Sequence, residues 1–180
     1  MNKSMFSIAG SLTLTLALAL SCMFPFQAVR AQSGSTYVCV EIESVIALHP
    51  FDGKSAADFY AKLDIGTYSL ERTEIIPNRD HISPGWRKCG YLAVGQPIRV
   101  YVYDSDGRSS RDDQADLSSS KHYRALFLYL QPFGSTCQVR QDVDGGTNWW
   151  GSVSDRCDVR QWSAGTERPA ASVLWHVWIP

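Results

Sequence analysis

Short runs in which apolar and polar residues take turns, separated by glycine and proline breaks, constrain this chain more than any other feature. In Ile98–Tyr103 the residues Ile98, Val100 and Val102 alternate with Arg99, Tyr101 and Tyr103. That is the period of a strand with one buried face. Near the start, Val38, Val40, Ile42, Ser44, Ile46 and Leu48 share one side of the same period, and Glu41 and Glu43 lie on the other. Phe59–Ile65, Thr73–Ile76, Trp86–Val94, Tyr123–Leu130, Thr136–Val143, Gly151–Trp162 and Ser172–Ile179 supply the remaining strand-like segments. Turn clusters separate them: Pro77-Asn78-Arg79-Asp80, Ser83-Pro84-Gly85, Gly95-Gln96-Pro97 and Gly145-Gly146. Tyr123–Leu130 also suits a short helix, but its aromatics and length favour a strand. About eight short strands with turn signals between them predict an all-β fold, an antiparallel β-sandwich.

The amino terminus reads differently. Lys3 precedes an apolar stretch, Ile8–Leu20, and Val29-Arg30-Ala31 has the small-residue pattern of a signal-peptidase site. The stretch is shorter than the roughly 20 apolar residues that span a bilayer. Residues 1–31 are therefore expected to be a removed signal peptide, and residues 32–180 a single β-sandwich domain. Cys22 follows Ala19-Leu20-Ser21, where a larger aliphatic residue would be expected in front of a lipid-attachment cysteine. With Lys3 and Arg30 gone, 15 basic residues face 18 acidic ones, a net charge of −3. That balance offers nothing to nucleic acid. It leaves a secreted protein, extracellular or periplasmic, with no transmembrane segment in the mature chain.

Four cysteines remain: Cys39, Cys89, Cys137 and Cys157. An even number in an exported chain points to two disulfides, and four cysteines allow three pairings. Cys39–Cys89 with Cys137–Cys157 is favoured: the first joins two early strands, and the second staples a local Gly-rich excursion. Zinc is the weaker reading, since there is no Cys-x-x-Cys and no paired histidine spacing.

Two loops carry the chemistry. One is Phe51-Asp52-Gly53-Lys54-Ser55-Ala56-Ala57-Asp58, with aspartates six positions apart. The other is Asp104-Ser105-Asp106-Gly107-Arg108-Ser109-Ser110-Arg111-Asp112-Asp113. Clustered carboxylates repel, and a hard cation with about 6–8 oxygen ligands removes that repulsion. The second loop is not an EF-hand: Arg108 and Ser109 stand where a ligand and a glycine are needed, and Ala115 replaces the closing Glu. Asp142-Val143-Asp144-Gly145-Gly146 lacks the remainder of that motif too, and is expected to be a hairpin turn.

On these residues the chain resembles the C2 domain, the calcium-binding β-sandwich of synaptotagmins and conventional protein kinase C. In that family the first loop runs Asp, five residues, then Ser-Asp-Pro-Tyr-Val-Lys. Here Ala57-Asp58-Phe59-Tyr60-Ala61-Lys62 stands in its place. A later strand of the family ends in apolar-Asp-x-Asp with a further Asp six residues on, matched by Val102-Tyr103-Asp104-Ser105-Asp106 and Asp112. Ser83-Pro84-Gly85-Trp86 answers the family's Asn-Pro-x-Trp turn. The match covers residues 36–117, and the remainder agrees only in pattern. Phe59 replaces the family's Pro, and Gln114-Ala115-Asp116 replaces an apolar-apolar-Gly run.

The resemblance implies that Asp52, Asp58, Asp104, Asp106 and Asp112, with Asp113 as a near alternative to Asp112, hold Ca²⁺. It implies calcium-dependent binding to an anionic surface such as phospholipid, with Phe51, Arg108 and Arg111 as contacts. The alternative is a disulfide-stapled module that binds an extracellular glycan or protein, with calcium as a structural part. No enzyme is expected. His49, His81, His122 and His176 are scattered, and no Gly-x-Ser-x-Gly is present. Trp86, Trp175 and Trp178 fall in strand patterns and read as core or half-buried. Trp149-Trp150, between Cys137 and Cys157, reads as packed under its loop or as an exposed platform.

Overall fold

In this computed structural model the described residues are 34–51, 55–67, 69–107, 111–120, 122–133, 136–143, 146–152 and 157–180, with backbone alone at 132–133, 136–137, 143 and 146–152. The expected signal peptide lies outside them. Twelve strands are described: β1 (Ser35–Ala47), β2 (Phe59–Ile65), β3 (Glu71–Arg72), β4 (His81–Ile82), β5 (Trp86–Ala93), β6 (Pro97–Asp104), β7 (Asp113–Gln114), β8 (Leu126–Phe133), β9 (Thr136–Val143), β10 (Gly146–Ser152), β11 (Asp158–Ala164) and β12 (Ala171–Trp178). Among the described residues no helix is long and apolar enough to cross a membrane.

The strands form two antiparallel sheets. In the first, β11, β12, β1 and β4 follow in order, and β5 also pairs with β1. In the second the order is β10-β9-β8-β6-β2-β3, with β7 against the end of β6. The count exceeds the expected eight because three strands are only two residues long and β9 and β10 pair as an additional antiparallel unit. Of the expected run Thr73–Ile76 only a bridge from Ile76 to Phe59 forms; the strand there is Glu71–Arg72. β8 runs from Leu126 through Pro132 to Phe133, past the Leu130 end expected from the sequence.

Alternation decides which faces meet. Ile98, Val100 and Val102 of β6 and Phe59, Ala61, Leu63 and Ile65 of β2 point inward, against Val38, Val40 and Ile42 of β1 and Val173, Trp175 and Val177 of β12. Burying each such side chain stabilises the fold by about 1.5–3 kcal/mol before entropy. In β1 the alternation does not hold to the end. The register shifts between Ile42 and Ser44, a bulge that turns Val45 inward in place of Ser44. Hence Ile46 and Leu48 leave the core side assigned from the sequence.

One polar chain crosses the core. The Trp175 indole N–H donates to Ser163 Oγ at 2.9 Å, and the Ser163 hydroxyl donates to Gln141 Oε1 at 2.8 Å, joining β12 and β11 to β9 of the other sheet. Cys39 and Cys89 are bonded directly across β1 and β5. Cys157 is also disulfide-bonded, while the Cys137 side chain lies outside the described residues.

Candidate functional site

Antiparallel pairing of Phe59 with Asp104 brings the start of β2 and the end of β6 to one end of the sandwich. The loops before β2 and after β6 therefore emerge side by side. The Asp58 N–H donates to Asp104 Oδ1 at 2.6 Å, and the Ser105 N–H donates to the Asp58 carbonyl at 3.0 Å. Asp104 occupies an inward position that the β6 pattern would give to an apolar residue, and it is 1% exposed. The Asn78 N–H donates to Asp58 Oδ1 at 2.7 Å, so the Pro77–Asp80 turn seats the first loop from below. Asp106 is half-exposed, next to Gly107 at φ 70°, a left-handed turn that glycine adopts without strain.

Asp58 and Asp104 are thus brought together through the Asp58 backbone N–H, with Asp106 two residues along. Asp112 lies elsewhere: its Oδ2 accepts the Tyr60 hydroxyl at 2.6 Å and stands 3.9 Å from the Arg72 guanidinium. Asp113 is exposed, opposite Asp104 in the β6–β7 register. Asp52 and Arg108 fall outside the described residues. Phe51 is half-buried and packs edge-on against Phe59, ring centroids 5.3 Å apart. Arg111 is exposed beside Asp112. Among the described residues, no group of three or more His, Cys, Asp or Glu is gathered to hold a metal ion.

Next to this end, the outer face of the second sheet carries an aromatic ladder. Tyr60 of β2 stacks on Tyr103 of β6 at 5.1 Å and 11°, and Tyr103 on Tyr101 at 6.5 Å. Lys62 Nζ sits 4.6 Å from the Tyr103 ring centre and Arg72 Cζ 3.9 Å from that of Tyr60, both within cation–π reach. Tyr60, Lys62, Tyr103, Arg111, Asp112 and Arg124 help line a hollow of about 520 Å³ here. Burial, then the bond to Asp112, pushes the Tyr60 hydroxyl well above the ordinary tyrosine range. Burial raises Tyr103 too, followed by the neighbouring Tyr101 and Asp112. Both phenols therefore stay neutral and add no negative charge to this face.

No protein-family profile matches the chain, and no curated protein matches it. Solved structures do. A structure of CC2D1B, described as coordinating ESCRT-III activity during mitotic reformation of the nuclear envelope, superposes with a TM-score of 0.54 at 9% identity, over 80% of this chain and 55% of that one. A single C2 domain of plant Extended Synaptotagmin 1 gives 0.50 at 10% identity, over 82% and 96%.

The fold is a C2 fold.

A calcium-bound structure of two C2 domains of Extended-Synaptotagmin 2 gives 0.50 at 12% identity, over 81% of this chain and 46% of that one. The chain thus spans about half the length of that two-domain structure and of the CC2D1B structure. The C2 likeness spreads over the β-sandwich, so the agreement reaches beyond the residues 36–117 where the sequence motifs lie. The aromatic and cationic face was not among the sequence expectations. Its signal was available in the outward residues of β2 and β6, Tyr60, Lys62, Tyr101 and Tyr103, but Arg72 joins them only through the pairing of β3 with β2.

Proposed function

We propose that this chain is a secreted, calcium-assisted C2-like module that binds a phosphate-bearing anionic surface, most simply phospholipid. The observation that carries the reading is the convergence of Asp58 and Asp104 at a sandwich end adjoining Lys62, Arg72 and Arg111. The donor set is all oxygen, the chemistry a hard cation takes. Asp58, Asp104 and Asp106, with Asp52 from the same loop, are the residues that would hold it. A bound Ca²⁺ supplies positive charge that lets these carboxylates face an anionic headgroup. The chain's own part is separate. Lys62 and Arg72, held over tyrosine rings, present cations whose stems lie on apolar surface and whose charges meet phosphate oxygens. Export is supported by the leader-like residues 1–31 and by the Cys39–Cys89 bond, a linkage that persists in oxidising compartments.

Co-sedimentation with vesicles tests this. Phosphatidylcholine vesicles, alone or mixed with phosphatidylserine, are incubated with the protein in calcium or in chelator. Binding is expected to the anionic vesicles only, greater in calcium, and lost in a Lys62→Gln/Arg72→Gln variant. Equal binding to neutral and anionic vesicles, or none to either, overturns the reading.

A further inference from the structure

On one flank of the sandwich both sheets end in strands that, among the described residues, are paired on one side only. β3 is the last strand of the second sheet and pairs with β2; β5 pairs with β1. Between these two edges runs an open groove of about 360 Å³, with Leu63 on one wall and Glu71–Glu74 and Pro84–Lys88 along its sides. The Lys88 ammonium spans it, donating to the Ser69 carbonyl at 2.9 Å and meeting Glu71 Oε1 at 3.2 Å. Trp86 lines the groove and is 5% exposed. Its indole N–H is buried and has no hydrogen-bond partner among the described residues. Leaving such a donor unpaired costs about 1–3 kcal/mol.

We propose that this groove is a binding site for an extended polypeptide segment of a partner protein. Such a strand would take a main-chain carbonyl to the Trp86 indole and add its backbone to an open sheet edge. Three features select that occupant. An edge strand presents unpaired N–H and C=O groups along one side, and the group that matches such a row is another main chain. The unpaired indole donor asks for a neutral or anionic acceptor, which every peptide unit supplies. The rim carries both signs, with Glu71 and Glu74 facing Arg72, Arg87 and Lys88. That mixture suits a polypeptide of mixed charge better than a uniformly anionic ligand. The site uses neither the aspartate loops nor the tyrosine face, so it stands apart from the anionic-surface reading.

The test begins with a phage-displayed library of random linear peptides selected on the folded, oxidised protein. A selected peptide is then titrated into ¹⁵N-labelled protein. The Trp86 indole N–H resonance, assigned by triple-resonance experiments on the wild-type protein, is expected to shift downfield. Amides of Glu71–Glu74 and Trp86–Lys88 are expected to gain protection from exchange. Affinity should fall about tenfold in Trp86→Phe, which keeps the ring and removes the donor. The titration alone decides the matter if that variant does not fold. A selection that returns no binder above background overturns the proposal. So does a binder that leaves the Trp86 indole and the β3 and β5 amides unmoved.

Discussion

Replacing Asp104 by Asn separates the two roles this carboxylate can have. Asp104 is 1% exposed and holds the Asp58 N–H at 2.6 Å. Asn keeps an acceptor oxygen in the same place and removes the charge. Without calcium, a charge-assisted bond becomes a neutral one, a loss of about 1 kcal/mol. Relief of repulsion from Asp58 and Asp106 offsets part of it. The metal-free melting temperatures of wild type and Asp104→Asn should therefore differ by no more than about 2–4 °C for a domain of this size. With calcium the two diverge. At a concentration ten times Kd, a ligand bound only by the native state adds about 1.4 kcal/mol, which raises Tm by roughly 3–6 °C. Extracellular calcium modules hold the ion with Kd of order 10⁻⁴–10⁻³ M, and millimolar titrations cover that range. Differential scanning calorimetry on both proteins, in chelator and across a calcium series, reads all four quantities. Wild type should climb with calcium and Asp104→Asn should not. Equal climbs in both, or no climb in either, would falsify the assignment of Asp104 to a calcium site.

Three further outcomes are expected. Tyr60 keeps its proton in the folded protein above pH 10.0, where the unfolded chain releases it; its stabilising share is whole below that pH and fades as the pH rises further. Tyr60→Phe should thus flatten the alkaline loss of stability measured by urea denaturation, and an unchanged slope refutes the assignment. Arg99 meets the fully buried Asp64 carboxylate at 2.7 Å; Arg99→Met strands that charge and should destabilise by about 3 kcal/mol, a loss under about 1 kcal/mol on the same scale counting against it. At Gly165 an added Cβ would collide with the Asp116 carbonyl, whose carboxylate also holds the Thr166 and Glu167 N–H groups at 2.7 Å. Gly165→Ala should cost more than about 2 kcal/mol, read as a fall in Tm, whereas a neutral result there means that the loop yields.

Much of the fold was legible because two-residue periodicity reports one-sided burial directly. Thr136–Val143 is β9 to the residue, and Ile98–Tyr103 lies within β6 with its inward set as read. The bulge in β1 was not legible, since Glu43 and Ser44 are as ordinary on a surface strand as at a register shift. The Cys39–Cys89 bond follows from direct pairing of β1 with β5, which the sequence permits but does not compel. In the candidate site, spacing marks the aspartates but says nothing of their directions. Asp112 turns toward Tyr60 because the β2–β6 pairing sets that hydroxyl within its reach. Asn78 and Asp80 support the first loop through tertiary bonds between segments far apart in sequence, and local pattern carries no trace of those.

The Trp175–Ser163–Gln141 chain has a consequence for how the sandwich deforms. Aliphatic side chains facing each other across sheets tolerate small slides, since dispersion contacts have no preferred direction. Two aligned hydrogen bonds of 2.9 and 2.8 Å do not. They act as a dowel, fixing how far β9 can travel along β11 and β12. The loop-bearing strands β2 and β6 share a sheet with that dowel, so the distance between their tips and the β11–β12 loop is held by a polar pin inside an apolar core.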